Sequence, residues 1–222
     1  MTVQDKTLLA GVGQADITPP AGIQIAGDIG ARRSATLVND RLYAKTLVLQ
    51  SGECRLCLVA LDLTLITQPH TDAIRQAARG FGFEPGAVMV HATQTHSAPA
   101  LGHFMLDDDF PNIPPEFEFL RGSDSRYFDF AHQRILESIR LACQNLQPVQ
   151  IGVGSGIEGR VSFNRRGVDK DGKAHMPGRK WEAPLGPTWL RYLEGPVDPE
   201  LGVVCLCNRQ MEVISLLVNF AC

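Results

Sequence analysis

His91, His96 and His103 crowd into one short stretch, VMVHATQTHSAPALGH, residues 88–103. Imidazoles bind divalent metals and move protons near neutral pH. The stretch starts as an apolar strand and breaks into a turn. On a locally extended chain, residues two apart face the same way, so Gln94 and His96 share a direction. Two imidazoles at such positions begin a zinc site, with further ligands supplied from elsewhere. Here one position is glutamine, whose neutral amide oxygen is a weaker donor than imidazole or carboxylate. Gln94 can instead hydrogen-bond a substrate or orient a water. Thr93, Thr95 and Ser97 add hydroxyls that can support ligands, and Pro99 and Gly102 stiffen the turn. Three readings stay open: a hydrolase metal site, a modified one, and an ordinary turn holding a satisfied histidine.

The other candidates are weaker. His91 lies inside the strand, where packing or hydrogen bonding is its simpler duty. His103 sits in the loop that follows, and His132 falls on a helical stripe as a core-edge histidine. His70 and His175 carry no constellation that spacing reveals. Asp62 ends an apolar strand and can orient His96 or hold a turn; for Asp40, turn duty is the simpler role. Arg165 and Arg166 follow an expected strand over 160–164. They can set a cation near a carbonyl or headgroup, or remain a solvated pair.

Strands and helices must position the turn. LLAGVGQADI (8–17) reads as a first strand, stopped by Thr18-Pro19-Pro20. Gly11 and Gly13 are not a dinucleotide fingerprint, because the third glycine is missing and prolines stand where a helix should open. After a glycine-rich loop over 21–39 come strands at 43–50 and 55–65, with a hairpin turn at SGE. Pro69 opens a helix running to about Arg79, and Gly80 and Gly82 end it. The apolar run 86–93 reads as a strand buried on both faces. A long loop follows over 94–124. Residues 125–145 form the clearest helix, with Phe128, His132, Ile135, Ile139, Ala142 and Leu146 in one stripe. Strands at 149–156, 201–207 and 213–221 complete the chain, with an irregular segment over 165–200. Hairpins mixed with helices predict an α/β domain with a mixed sheet core and flanking helices.

Composition narrows the classes. The chain has 222 residues, 44% hydrophobic and 20% charged, as an ordinary globular protein does. A net charge of −3 gives no broad attraction to nucleic acid or anionic lipid. No apolar run is long enough for a transmembrane helix. MTVQDKTLLAGVG shows no secretory signal, which points to the cytoplasm. Cys54 and Cys57 fall on a strand, where residues three apart face opposite ways, so the expectation is free, mostly buried thiols in a reducing compartment. The whole chain is expected to be one domain. Its end at Cys222, straight after an apolar strand, suggests the N-terminal part of something longer.

Several stretches together resemble the N-terminal part of the neutral/alkaline non-lysosomal ceramidases. They are GVGQADITPPAG (11–22), NDRLYAKTLVL (39–49), LVALDLTL (58–65), ATQTHSAPA (92–100), NRRGV (164–168), GPVDPELGVV (195–204) and LLVNFAC (216–222). They fall in order along nearly the whole chain. The resemblance implies that family's N-terminal fold and a zinc-dependent amidase acting on ceramide or a related lipid amide. The family turn reads THTHSGP. Its first histidine binds zinc and its second assists at the substrate. Those positions fall on Gln94 and His96, while Ala98 replaces the glycine. The resemblance thus implies His96 as the catalytic residue, while Gln94, Ser97 and Arg165 are expected toward substrate. Any zinc would use His96 or His91 in place of Gln94. The family's other ligands, a second histidine, a glutamate and a tyrosine, match nothing in this chain, nor does its proposed serine nucleophile. An apolar groove for lipid fits the loop LGHFMLDDDFPNIPPEFEFL (101–120), which can equally cap the domain's own core. Relatives are often secreted or membrane-associated, which sets the family against the missing signal. Two classes of function follow: an amide hydrolase with an altered metal site, or a non-catalytic relative that binds a lipid or other ligand. A histidine directly after Cys222 favours the first, and a stop there favours the second.

Overall fold

A computed structural model describes residues 7–27, 32–106, 109–162, 164–175, 192–193 and 195–221. Asp107, Asp108, Cys222 and residues 176–191 and 194 of the irregular segment over 165–200 lie outside the described residues. The chain divides into two compact units, one made of residues up to 150 with 207–214, the other of 151–206 with 215 onward.

The first unit is built on a mixed five-stranded sheet. Strands β1 (Leu8–Asp16), β2 (Tyr43–Ser51) and β3 (Cys54–Leu61) form an antiparallel meander. A two-residue turn joins β2 to β3, with Gly52 at φ 59°. Helix α1 (Gln68–Ala78) then carries the chain across to β4 (Val88–Ala92), which runs parallel to β3. Helix α2 (Phe128–Gln144) follows, and short β5 (Gln147–Pro148) returns to β1. The sheet order is β4-β3-β2-β1-β5. Pro69 starts α1, and after a single 3₁₀ turn the chain reverses at Gly82, φ 83°.

One face of the sheet carries the core. Val48, Cys57, Val59, Leu61 and Val88 meet Ile74 of α1 and Ala131, Ile135, Ile139 and Ala142 of α2. Gly11 and Gly13 find their reason here. A Cβ at Gly11 would stand 2.1 Å from the carbonyl oxygen of Ala142, and one at Gly13 2.0 Å from that of Ser138. These glycines bring the backbone of α2 against β1, a close-approach role. Thr46 and Ser138, both buried, share a 2.7 Å hydrogen bond between β2 and α2. The Tyr127 hydroxyl donates to the Ile17 carbonyl at 2.5 Å, tying the start of α2 to the end of β1.

Two expectations change in the first unit. β4 is the edge strand, so it is not buried on both faces: Val88 turns to the core while Met89 and His91 are exposed. The thiols are not mostly buried either. Cys57 is buried and its thiol is pushed up to about 12 by desolvation, Cys54 is exposed, and Cys143 is half-buried.

The second unit holds most of β6 (Gln150–Ile157), β10 (Glu200–Cys207) and β11 (Val213–Phe220), in the order β11-β10-β6. Beside them is a small sheet of β7 (Gly167–Val168), β8 (Ala174–His175) and β9 (Tyr192–Leu193), in the order β8-β7-β9. The described residues over 160–164 form no strand; the pairing begins at Gly167. Glu158 and Asn164 accept bonds from the backbone N–H two residues on, and such local turns compete with a ladder.

Candidate functional site

The histidine turn stands at the shared C-terminal end of two parallel strands, β3 and β4. Past their last residues the two chains keep exchanging bonds. Thr93 N–H donates to Leu61 O at 2.9 Å and Thr95 N–H to Leu63 O at 3.2 Å. Thr64 N–H donates to Pro99 O at 3.0 Å, and Leu101 N–H to Leu65 O at 3.0 Å. The buried Thr64 hydroxyl lies 2.7 Å from Thr95 O and 2.9 Å from Ala98 O, so one proton serves both carbonyls. Thr93 and Thr95 join their own hydroxyls at 2.9 Å. Ala98 and Leu101 are buried while Gln94, His96 and Ser97 are exposed, so the turn is rooted below and open above.

Gln94 departs from the extended geometry read from spacing. Its φ is 59°, in the left-handed region. Outside glycine such residues are uncommon and gather at functional sites. The simple rule that Gln94 and His96 face the same way therefore does not carry over.

A second segment clamps the turn from outside. Ala26 N–H donates to Ala98 O at 2.8 Å. Gly27 sits at φ 95°, and a Cβ there would fall 2.7 Å from the Cα of His96. The Arg33 guanidinium donates to the carbonyl oxygens of Ala26 and, at 2.6 Å, of His96. Thr64, Gly27 and Arg33 escaped the reading of the sequence. Gly27 alone left a trace there, as part of the glycine-rich loop.

The remaining candidates scatter. His91 lies opposite Ala60 on the outward face of β4, exposed and without a side-chain hydrogen bond to the described residues, so it is not packed. Asp62 accepts from Tyr43 N–H at 2.9 Å and so holds β2; it does not orient His96. Arg165 is exposed just ahead of β7, in the second unit. His175 does have a partner, the Asp169 carboxylate at 2.6 Å. So does His70, whose Nδ1 lies 2.8 Å from Nε2 of His132. Burial lowers the pKa of the His132 imidazole, and nearby Asp129 opposes the shift. His103 Nδ1 lies 2.6 Å from the buried Ser123 hydroxyl, beside a cleft of about 290 Å³ that also touches Gln24, Asp124 and Arg126. Gln94 and His96 do not line that cleft. Along the long loop Leu101 belongs to the core, while Phe104, Phe110 and Phe117 are exposed.

Among the described residues no three His, Cys, Asp or Glu side chains gather as a metal-binding group. The two imidazoles of His96 and His91 therefore do not fit zinc by themselves, since a zinc site takes at least three protein ligands and the Gln94 amide is a weak donor.

Residues 8–168 match the family described as neutral/alkaline non-lysosomal ceramidase, N-terminal. The chain is also similar to the crystal structure of neutral ceramidase from Pseudomonas aeruginosa, with TM-score 0.68 and 20% identity over 97% of this chain and 32% of that one. A ceramidase structure described as complexed with C2 gives TM-score 0.61 and 22% identity over 96% of this chain and 31% of that one. The chain thus spans about a third of the length of either. The mixed α/β architecture is theirs.

Proposed function

The chain belongs to the neutral/alkaline non-lysosomal ceramidase family, and from that premise we propose that it supplies the His96 wall of a site hydrolysing the N-acyl amide of ceramide or a related lipid. It is the N-terminal part of a longer ceramidase-like catalytic domain in this reading. The observation that carries it is the turn itself. An exposed imidazole sits at the joint end of two parallel strands, where sites of α/β sheets form, on a backbone pinned from two sides.

His96 is the group that moves a proton during hydrolysis. The Gln94 amide and the Ser97 hydroxyl hydrogen-bond the substrate amide, and the strained backbone at Gln94 holds its side chain for that task. Phe104, Phe110 and Phe117 offer apolar surface to acyl chains. The family's zinc would polarise the amide carbonyl and lower the pKa of bound water. His91 and His96 are this chain's imidazole donors toward it, and they need donors from outside the described residues.

A non-catalytic relative that binds a lipid amide is the second reading. It is favoured by glutamine at the family's zinc position and by the lack of a three-donor group among the described residues. Turnover of a fluorescent N-acyl sphingosine by the full gene product separates the two. The hydrolase reading expects His96→Ala to lower kcat by about a hundredfold. Equal turnover in both proteins would refute it, and binding with no turnover in either would establish the second reading.

A further inference from the structure

A groove of about 890 Å³ opens beside the end of β1, on the same edge of the sheet as the His96 turn. The register sets this: Asp16 faces Tyr43, Ala44 faces Leu61, and Leu61 faces Ala92. Its apolar wall includes Pro20, Val38 and Phe130, all exposed. Three arginines and one aspartate also line it: Arg41, Arg126, Arg134 and Asp16. Arg41 pairs with the Asp16 carboxylate, which also accepts from Thr18 N–H at 2.8 Å. Arg126 pairs with Asp124 at 2.6 Å. Arg134 is different. Its Nε donates to the Asp16 carbonyl oxygen at 3.0 Å, which does not neutralise the charge. Its two terminal nitrogens donate to no described residue, and unlike the Nε of Arg33 they reach solvent. Glu137, whose charge it feels, gives both carboxylate oxygens to Arg140, at 2.7 and 2.9 Å. The groove is thus a positive place on a chain of net charge −3. The Nε bond and a half-buried stem also fix the plane of the guanidinium before any ligand arrives.

We propose that this groove binds a free fatty acid, apart from the His96 turn. The two terminal nitrogens of Arg134 form the open end of a fork that matches a carboxylate through paired charge-assisted bonds. Phe130 stands one helical turn before Arg134 on α2, on the same face. An alkyl chain leaving the carboxylate therefore runs onto Phe130 and across to Pro20 and Val38. The wall chooses an amphiphile over a plain anion, because it offers the tail an apolar surface that water now covers. The uncharged amide does not enter this groove. The claim does not rest on the amide reading of the turn. Where that reading holds, the ligand is the acid released when water is added across the amide C–N bond.

The test is calorimetric titration of the full gene product at neutral pH and low salt, with decanoate, decanol and acetate as probes. Decanoate should bind about tenfold tighter than decanol, and the gap should narrow as salt is raised. Acetate should bind far more weakly than either. Arg134→Gln should bring decanoate down to the affinity of decanol and leave decanol as it was. Phe130→Ala should weaken both by about threefold or more. His96→Ala should leave decanoate affinity unchanged; a loss there would place the acid in the turn and overturn the groove. The proposal also falls if decanoate does not bind, as when a protein segment fills the groove, if acetate binds as well as decanoate, or if the preference survives in Arg134→Gln. Should Arg134→Gln lose decanol too, Arg134→Lys decides, since it keeps the charge without the fork: a reduced preference for decanoate supports the anchor, and an undiminished one overturns it. Binding is read without turnover, so failure here leaves the amide reading of the turn untouched.

Discussion

At the scale of single residues, the turn depends on side chains that have no chemistry of their own. Thr64 shares one hydroxyl proton between two carbonyls of the turn, and Gly27 gives the His96 backbone room to pass. Gly27→Ala meets two obstacles at once: a left-handed backbone and a 2.7 Å contact with the Cα of His96. It should cost about 1–3 kcal/mol and move the amide resonances of residues 95–98. An unchanged melting temperature would show that the clamp is loose. Gln94 allows the reverse experiment. Histidine is among the residues enriched at positive φ, so Gln94→His should keep the backbone and add an imidazole to the turn. Zinc affinity, read by competition with a chromophoric chelator, should rise by about tenfold or more. No rise would mean that positions 94 and 96 aim apart.

At the scale of elements, α2 is the piece that decides whether the sheet stands. It presses Ile135, Ile139 and Ala142 onto the sheet and comes so close that β1 must carry glycine at 11 and 13. Gly13→Ala pushes a methyl into the Ser138 carbonyl and should lower stability by about 2–4 kcal/mol, beyond an ordinary overpacking cost. A denaturation midpoint equal to the parent's would contradict this packing. Between α1 and α2, His70 and His132 share a hydrogen bond in a half-buried place. Burial holds the His132 imidazole below the ordinary histidine range. As pH falls, the unfolded chain therefore takes up this proton first. Stability is full above the ordinary histidine value and is lost as pH drops through it toward the lower folded value. Urea midpoints at about pH 7.5 and pH 5.5 should differ less in His132→Gln than in the parent. Equal differences would assign the slope to other groups.

At the scale of the whole molecule, the chain covers about a third of the ceramidases whose fold it shares. Its described donors do not make a zinc site alone. The isolated chain of 222 residues should therefore show no ceramide turnover above its Gln94→Ala, His96→Ala double variant, with or without added zinc. Measurable turnover above that control would mean that the turn works without outside ligands. What the sequence by itself determined was local: strands from apolar runs bounded by turn residues, α1 and α2 from helical spacing and from Pro69 and Gly82, and the His96 turn from its residue types. These follow from neighbours along the chain, whose geometry is set by backbone sterics. Tertiary structure alone decided the rest. It made β4 an edge strand and paired His70 with His132. It turned Gly11 and Gly13 into a seat for α2, and brought Gly27 and Arg33 onto His96. Each of those pairs residues far apart in sequence, and no periodicity records which distant backbone will come within a few ångströms.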